Sequence, residues 1–198
     1  MLMVPKLSLG TIKRDLMATF ELGMFNAWLL SLPFVIITTI MVGPKKNIVK
    51  RMSDMTGYTA REKFITMSAS ILPYPFMIAT IWVPLITVLP LLCFGLIVYM
   101  LGMAGCVSSL RVIIKTPPDE PFMDGPYRFS RNPMYVSATA VFSGICLATA
   151  NFVLACYLTI AVLLQHFMIL AEERICKEKY GGAFEGYLRK VPRYLFMF

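Results

Sequence analysis

The chain has 198 residues, 58% hydrophobic and 15% charged, with a mean hydropathy of +0.69 and a formal net charge of +8. A soluble domain carries about a quarter of its residues as Asp, Glu, Lys and Arg, so the composition excludes an ordinary soluble domain and points to the bilayer as solvent. The single histidine excludes a multi-histidine metal site, and the basic excess is explained by membrane topology and anionic lipid headgroups ahead of nucleic acid.

The length leaves no room for a separate soluble domain, so 1–198 is read as one membrane domain. Residues 1–21 form an interfacial segment, in which Leu9 to Phe20 mixes apolar residues with Lys13, Arg14 and Asp15 and suits a short helix lying along the membrane surface. The first apolar run starts too late and runs too long for a cleaved signal peptide, and is read as a retained span.

The spans follow from three stretches without charge: Glu21 to Lys45, Lys63 to Arg111, and Arg131 to Glu172. A crossing takes about 20 residues. The first stretch therefore holds one span, 22–42. The second holds two, 64–84 and 90–110, turning between Pro84 and Pro90. The third holds two more, 133–150 and 152–171, turning at Ala150-Asn151. The expected fold is an all-α integral membrane protein with about five transmembrane helices, ending in a helical hairpin and a cytoplasmic C-terminal segment. Basic residues agree with this count. Lys45, Lys46, Lys50, Arg51, Arg61 and Lys63 lie in the first loop, Arg111, Lys115, Arg128 and Arg131 in the third, and six more beyond Glu172, whereas the intervening turns carry none.

Within the spans, Gly102, Gly105 and Ser109 share one face of the third helix, a spacing that suits close helix packing. Cys93, Cys106, Cys146, Cys156 and Cys176 show no ligand spacing and are read as apolar filling. The chemistry is expected at the cytoplasmic rim, in segments 111–132 and 172–198. Two crossings return the chain to the side it left, so Arg131-Asn132-Pro133-Met134-Tyr135 and Glu172-Glu173 should meet there. Pro133 suits the first turn of a helix and Asn132 its N-cap, with direct ligand contact the equal alternative. His166 precedes Glu173 by two helical turns and shares its face. Carboxylates closing an apolar helix at its C-terminal end oppose its dipole, and a cationic ligand or Arg128, Arg131 or Arg174 would offset them.

Gly125-Pro126-Tyr127-Arg128-Phe129-Ser130-Arg131-Asn132-Pro133-Met134-Tyr135, the apolar hairpin, His166, Glu172-Glu173, Tyr180-Gly181, Tyr187 and Val191-Pro192-Arg193 together resemble the C-terminal half of integral membrane methyltransferases. These are the isoprenylcysteine carboxyl methyltransferase and phospholipid N-methyltransferase superfamily, and the resemblance covers roughly residues 120 to 195. It implies transfer of a methyl group from S-adenosylmethionine to a lipophilic acceptor from the bilayer, a phospholipid amine, an isoprenylcysteine carboxylate or a similar small lipid. Tyr127, Asn132, Pro133, Met134, Tyr135, Glu172 and Glu173 would bind the cofactor, with His166 and Arg131 as candidate catalytic residues. Asn132-Pro133 stands where the isoprenylcysteine enzymes carry His-Pro and is closer to the phospholipid enzymes. Gly102-Met103-Ala104-Gly105 only approximates the phospholipid enzymes' Gly-x-Gly. Cys176, Tyr180-Gly181, Tyr187 and Val191-Pro192 also resemble the C-terminal end of NADPH-dependent membrane sterol reductases, and a non-enzymatic membrane scaffold is the third reading.

Overall fold

A computed structural model of the chain describes residues 23–195, and among these every regular element is helical. The interfacial segment expected before the first span, and that span's first residue, lie outside the described residues. Helix α1 (Trp28–Val42) ends where Gly43-Pro44 interrupts the apolar run, and α2 (Lys46–Met52) departs from it at 109°. Helix α3 (Ala60–Ile71) begins with a reciprocal cap: Thr59 Oγ1 accepts from the Glu62 N–H at 3.3 Å, and Glu62 Oε2 accepts from the Thr59 N–H at 2.8 Å. Short α4 (Pro73–Ala79), long α5 (Leu89–Lys115), a 3-10 turn (Gly125–Arg128), α6 (Pro133–Thr149) and α7 (Phe152–Lys190) follow.

The expected second span, 64–84, is divided. Pro73 and Pro75 supply no N–H to the helix ladder, so α3 stops at Ile71, α4 restarts at Pro73, and helix is lost after Ala79. Residues 80–88 close the end of the bundle away from the glutamates through backbone bonds: Ala27 N–H to Val83 O at 2.9 Å, Trp28 N–H to Thr80 O at 3.1 Å, and Ile86 N–H to Ala148 O at 2.9 Å. By length and composition α5 and α7 can each cross a membrane, and the bent α1–α2 pair makes a third if counted as one span; apolar α6 is shorter, at 17 residues.

Helices α5 and α6 are the tightest pair. A Cβ on Gly95 would stand 2.6 Å from Ala148 N, one on Gly102 2.6 Å from Val141 N, and one on Gly144 2.6 Å from Tyr99 N. Backbone runs against backbone at all three glycines, so the small-residue face read from the sequence is a helix–helix contact. Ser109, fully buried on the same helix, donates to Gly105 O at 2.8 Å. Phe142 packs edge-on against Phe34 and Phe76, joining α1 and α4 to this pair. Outward, α5 and α7 present Phe94, Ile97, Leu101, Ile160, Leu163 and Phe167, and only 17% of the apolar stretch of α7 is buried within the protein. Such faces have lipid as their natural solvent.

Candidate functional site

The two polar motifs meet because the chain reverses sharply between α6 and α7. Ala150 takes a left-handed conformation (φ 47°), and Asn151 Oδ1 accepts from the Leu154 N–H at 3.0 Å, satisfying one of the four donors left open at the start of α7. Helix α7 then continues past Ala171 to Lys190, kinked at Gly181 (φ 55°, ψ −135°). Glu172 and Glu173 therefore sit within a helix and not at its C-terminal end, which removes the dipole argument for a compensating cation. A cation is nevertheless supplied, through a different geometry.

Glu173 is the hub. Its Oε2 accepts from Arg131 Nη1 at 3.3 Å and from Arg193 Nε at 3.0 Å, and its Oε1 accepts from Asn132 Nδ2 at 3.1 Å. The Arg131 and Glu173 side chains are only 6% and 11% exposed, so each charge depends on the other for its solvation. Asn132 occupies the N-cap position of α6, but its side chain caps nothing; its amide is committed to Glu173 and, at 3.3 Å, to Arg193 O. Asn132 is thus the N-cap by position, as expected, but without a side-chain cap. Ser130 Oγ donates to Arg193 O at 3.1 Å, and Arg131 N–H to Pro192 O at 2.9 Å, so the segment after α7 is laced onto the Arg131 motif. Of the other arginines expected near the pair, Arg128 bonds Asp124 and Arg174 bonds Glu62 and Glu178.

Glu172 is different. It accepts from Tyr135 OH at 2.7 Å and has no cationic partner among the described residues. Burial, and to a smaller degree the neighbouring charge of Glu173, push its carboxyl up to about 7, against the opposing effect of the Tyr135 bond. It lines a cavity of about 240 Å³ together with Arg131, Asn132, Met134, Tyr135 and Glu173. Tyr127 lines it as well, held between Leu110 and Ile113 on α5 and accepting at its carbonyl from Tyr187 OH at 2.6 Å.

Pro133 is buried in the first turn of α6 and His166 lies back along α7; neither lines the cavity. His166 Nδ1 is hydrogen-bonded to Tyr194 OH at 2.8 Å, on the face of α7 it shares with Glu173. The cavity also has a wall that reading the sequence missed: Arg51, Met52, Asp54, Thr56 and Tyr58, from the end of α2 and the segment after it. Arg51 donates to the carbonyls of Thr116, Pro117 and Glu120 and stacks 4.3 Å from the Phe122 ring centroid, bracing the α5–α6 connection. In sequence Arg51 and Tyr58 are indistinguishable from other residues of a basic loop, so no spacing signal could have found them.

Among the described residues no group of His, Cys, Asp and Glu is placed to hold a metal ion. The cavity instead suits an organic cation, since it combines a carboxylate free of any protein cation with the rings of Tyr58, Phe122, Tyr127 and Tyr135. No curated protein and no solved structure matches the chain. A family model described as phospholipid methyltransferase matches residues 78–183, more than half of the chain, from the end of α4 through the glutamate pair. The chain thus belongs to the phospholipid methyltransferase family.

Proposed function

We propose that the protein transfers a methyl group from S-adenosylmethionine to a lipophilic acceptor that reaches the cavity from the bilayer, a phospholipid amine being the first candidate. The observation that carries this reading is the inequality of the two glutamates. Glu173 is saturated by Arg131, Arg193 and Asn132, whereas Glu172 faces the cavity with only a tyrosine hydroxyl. A carboxylate held in this way is suited to receive the cofactor's ammonium, and the surrounding aromatic rings suit its adenine and its sulfonium. When bound, the cofactor supplies an electrophilic methyl group.

The chain's own residues hold, orient and exclude water. Asn132, Met134, Tyr135, Tyr127 and Glu172 form the binding wall, and Pro133 fixes the start of the helix that carries Met134 and Tyr135. Arg131 acts through Glu173 by fixing the C-terminal segment against the cavity. His166, bonded to Tyr194, supports that same segment from the other side. Direct displacement at a methyl carbon depends chiefly on alignment, so positioning and dehydration account for the rate without a dedicated acid or base. The family match supports methyl transfer over the reductase and scaffold readings.

The same reading takes the protein as one membrane domain of five crossings, with α1 as the first and the divided α3–α4 counting as one. Segments 111–132 and 172–198 then lie together on the cytoplasmic side, where the basic residues collect. Purified protein incubated with methyl-labelled S-adenosylmethionine and a total membrane lipid extract should yield a labelled lipid, and Glu172→Gln should not. Absence of any labelled lipid from active, folded preparations would overturn the reading.

A further inference from the structure

One wall of the cavity lies outside the stretch that matches the family. Asp54, Thr56 and Tyr58 belong to the connection between α2 and α3, whereas the match begins at residue 78. That connection is fastened to α7 by Arg174, the residue after the glutamate pair. Arg174 Nε donates to Glu62 Oε1 at 3.0 Å and Nη2 to Glu62 Oε2 at 2.6 Å, a two-pronged pairing, while Nη2 also donates to Gly57 O at 3.1 Å. Both carboxylate oxygens of Glu62 are thus engaged, one of them also closing the cap with Thr59. Gly57, at φ 81°, lies so close to α7 that a Cβ there would stand 3.0 Å from Ile175 Cδ1. The next residue along, Cys176, lines the cavity.

We infer that Arg174 and Glu62 are positioning residues that latch the 53–59 segment onto α7 as a wall of the cavity. The pairing is stronger than an ordinary surface ion pair because it is bidentate, partly buried and shared with a backbone carbonyl, so a rigid α7 is joined to a helix start that is itself capped. One turn of α7 then carries both the carboxylate that faces the ligand and the fastener that closes the cavity over it. The consequence for catalysis rests on the proposed methyl transfer; the latch itself does not.

The test reads the two separately. Alkylation of Cys176 by N-ethylmaleimide, followed peptide by peptide with mass spectrometry, reports opening of the wall without any cofactor. Arg174→Gln and Glu62→Gln should each speed Cys176 labelling roughly tenfold, the scale expected when groups in direct contact are uncoupled. Labelling of buried Cys106 should stay unchanged, and the exchanged pair Glu62→Arg with Arg174→Glu, which re-forms the ion pair but neither the Thr59 cap nor the Gly57 bond, should restore protection in part. Unchanged Cys176 labelling in the single variants would overturn the latch, as would parallel acceleration at Cys106, which marks general loosening. In turnover, the single variants should raise KM for S-adenosylmethionine about tenfold with kcat changed much less. A wild-type protein that binds no S-adenosylmethionine would refute the proposed reaction, while Cys176 would still decide the latch.

Discussion

At Glu172 and Glu173 two identical side chains, adjacent in sequence, are given different work by what surrounds them. Glu173 completes a buried ion network, so Glu173→Ala leaves Arg131 without its counter-charge and should destabilise the fold by roughly 3–5 kcal/mol, measurable by thermal unfolding in detergent. Glu172, without a cationic partner among the described residues, has a proton affinity raised by burial. Its carboxyl, shifted from 4.5 to about 7, binds its proton more tightly folded than unfolded, so its contribution to stability is present below about 4.5 and is lost as the pH climbs through about 7. Glu172→Gln removes that slope and should raise stability at pH 8 while abolishing cofactor binding. If Glu172 receives the cofactor's ammonium, wild-type affinity should fall by up to about tenfold per pH unit below 7, because only the ionised carboxylate binds. Isothermal titration between pH 5.5 and 8 checks both, and a flat wild-type profile would contradict the assignment.

At the scale of elements, the α5–α6 contact and the α6–α7 reversal hold the site's frame. Gly144→Leu forces a side chain into the backbone of α5 near Tyr99 and should cost about 1–3 kcal/mol or prevent folding. Ala150→Gly should act in the opposite sense, stabilising by roughly 0.5–1 kcal/mol, since the left-handed conformation there strains any residue with a Cβ. Much of this frame was legible in the sequence. Charge-free stretches mark where helices can be buried in lipid, and a small residue beside an amide marked the turn at Ala150-Asn151. The failures share a physical cause, in that hydropathy records what a segment can dissolve in and not whether its backbone can continue. Pro73 interrupts a helix without interrupting apolarity, and α7 continues to Lys190 although its lipid-soluble stretch stops near Ala171. The meeting of Arg131 with Glu173 followed from counting crossings. The roles of Arg193, Tyr58 and Arg51 did not, because they depend on contacts between distant segments that carry no periodic signal.

For the whole molecule, the account is of a helical membrane protein whose polar residues gather at one end and whose apolar faces turn outward. Single cysteines placed in a cysteine-free background at Glu120 and Phe152 should label from opposite sides of sealed vesicles, Glu120 from the side that also exposes Lys190. Labelling of both from one side would remove the five-crossing arrangement. The central claim is that the cavity beside Glu172 holds S-adenosylmethionine. Equilibrium binding of S-adenosylmethionine and of NADPH to the purified protein and to Glu172→Gln tests it most directly. The account predicts saturable binding of S-adenosylmethionine by the wild type, its loss in the variant, and no binding of NADPH. Binding of NADPH alone, or S-adenosylmethionine binding that survives in a folded Glu172→Gln protein, would contradict it.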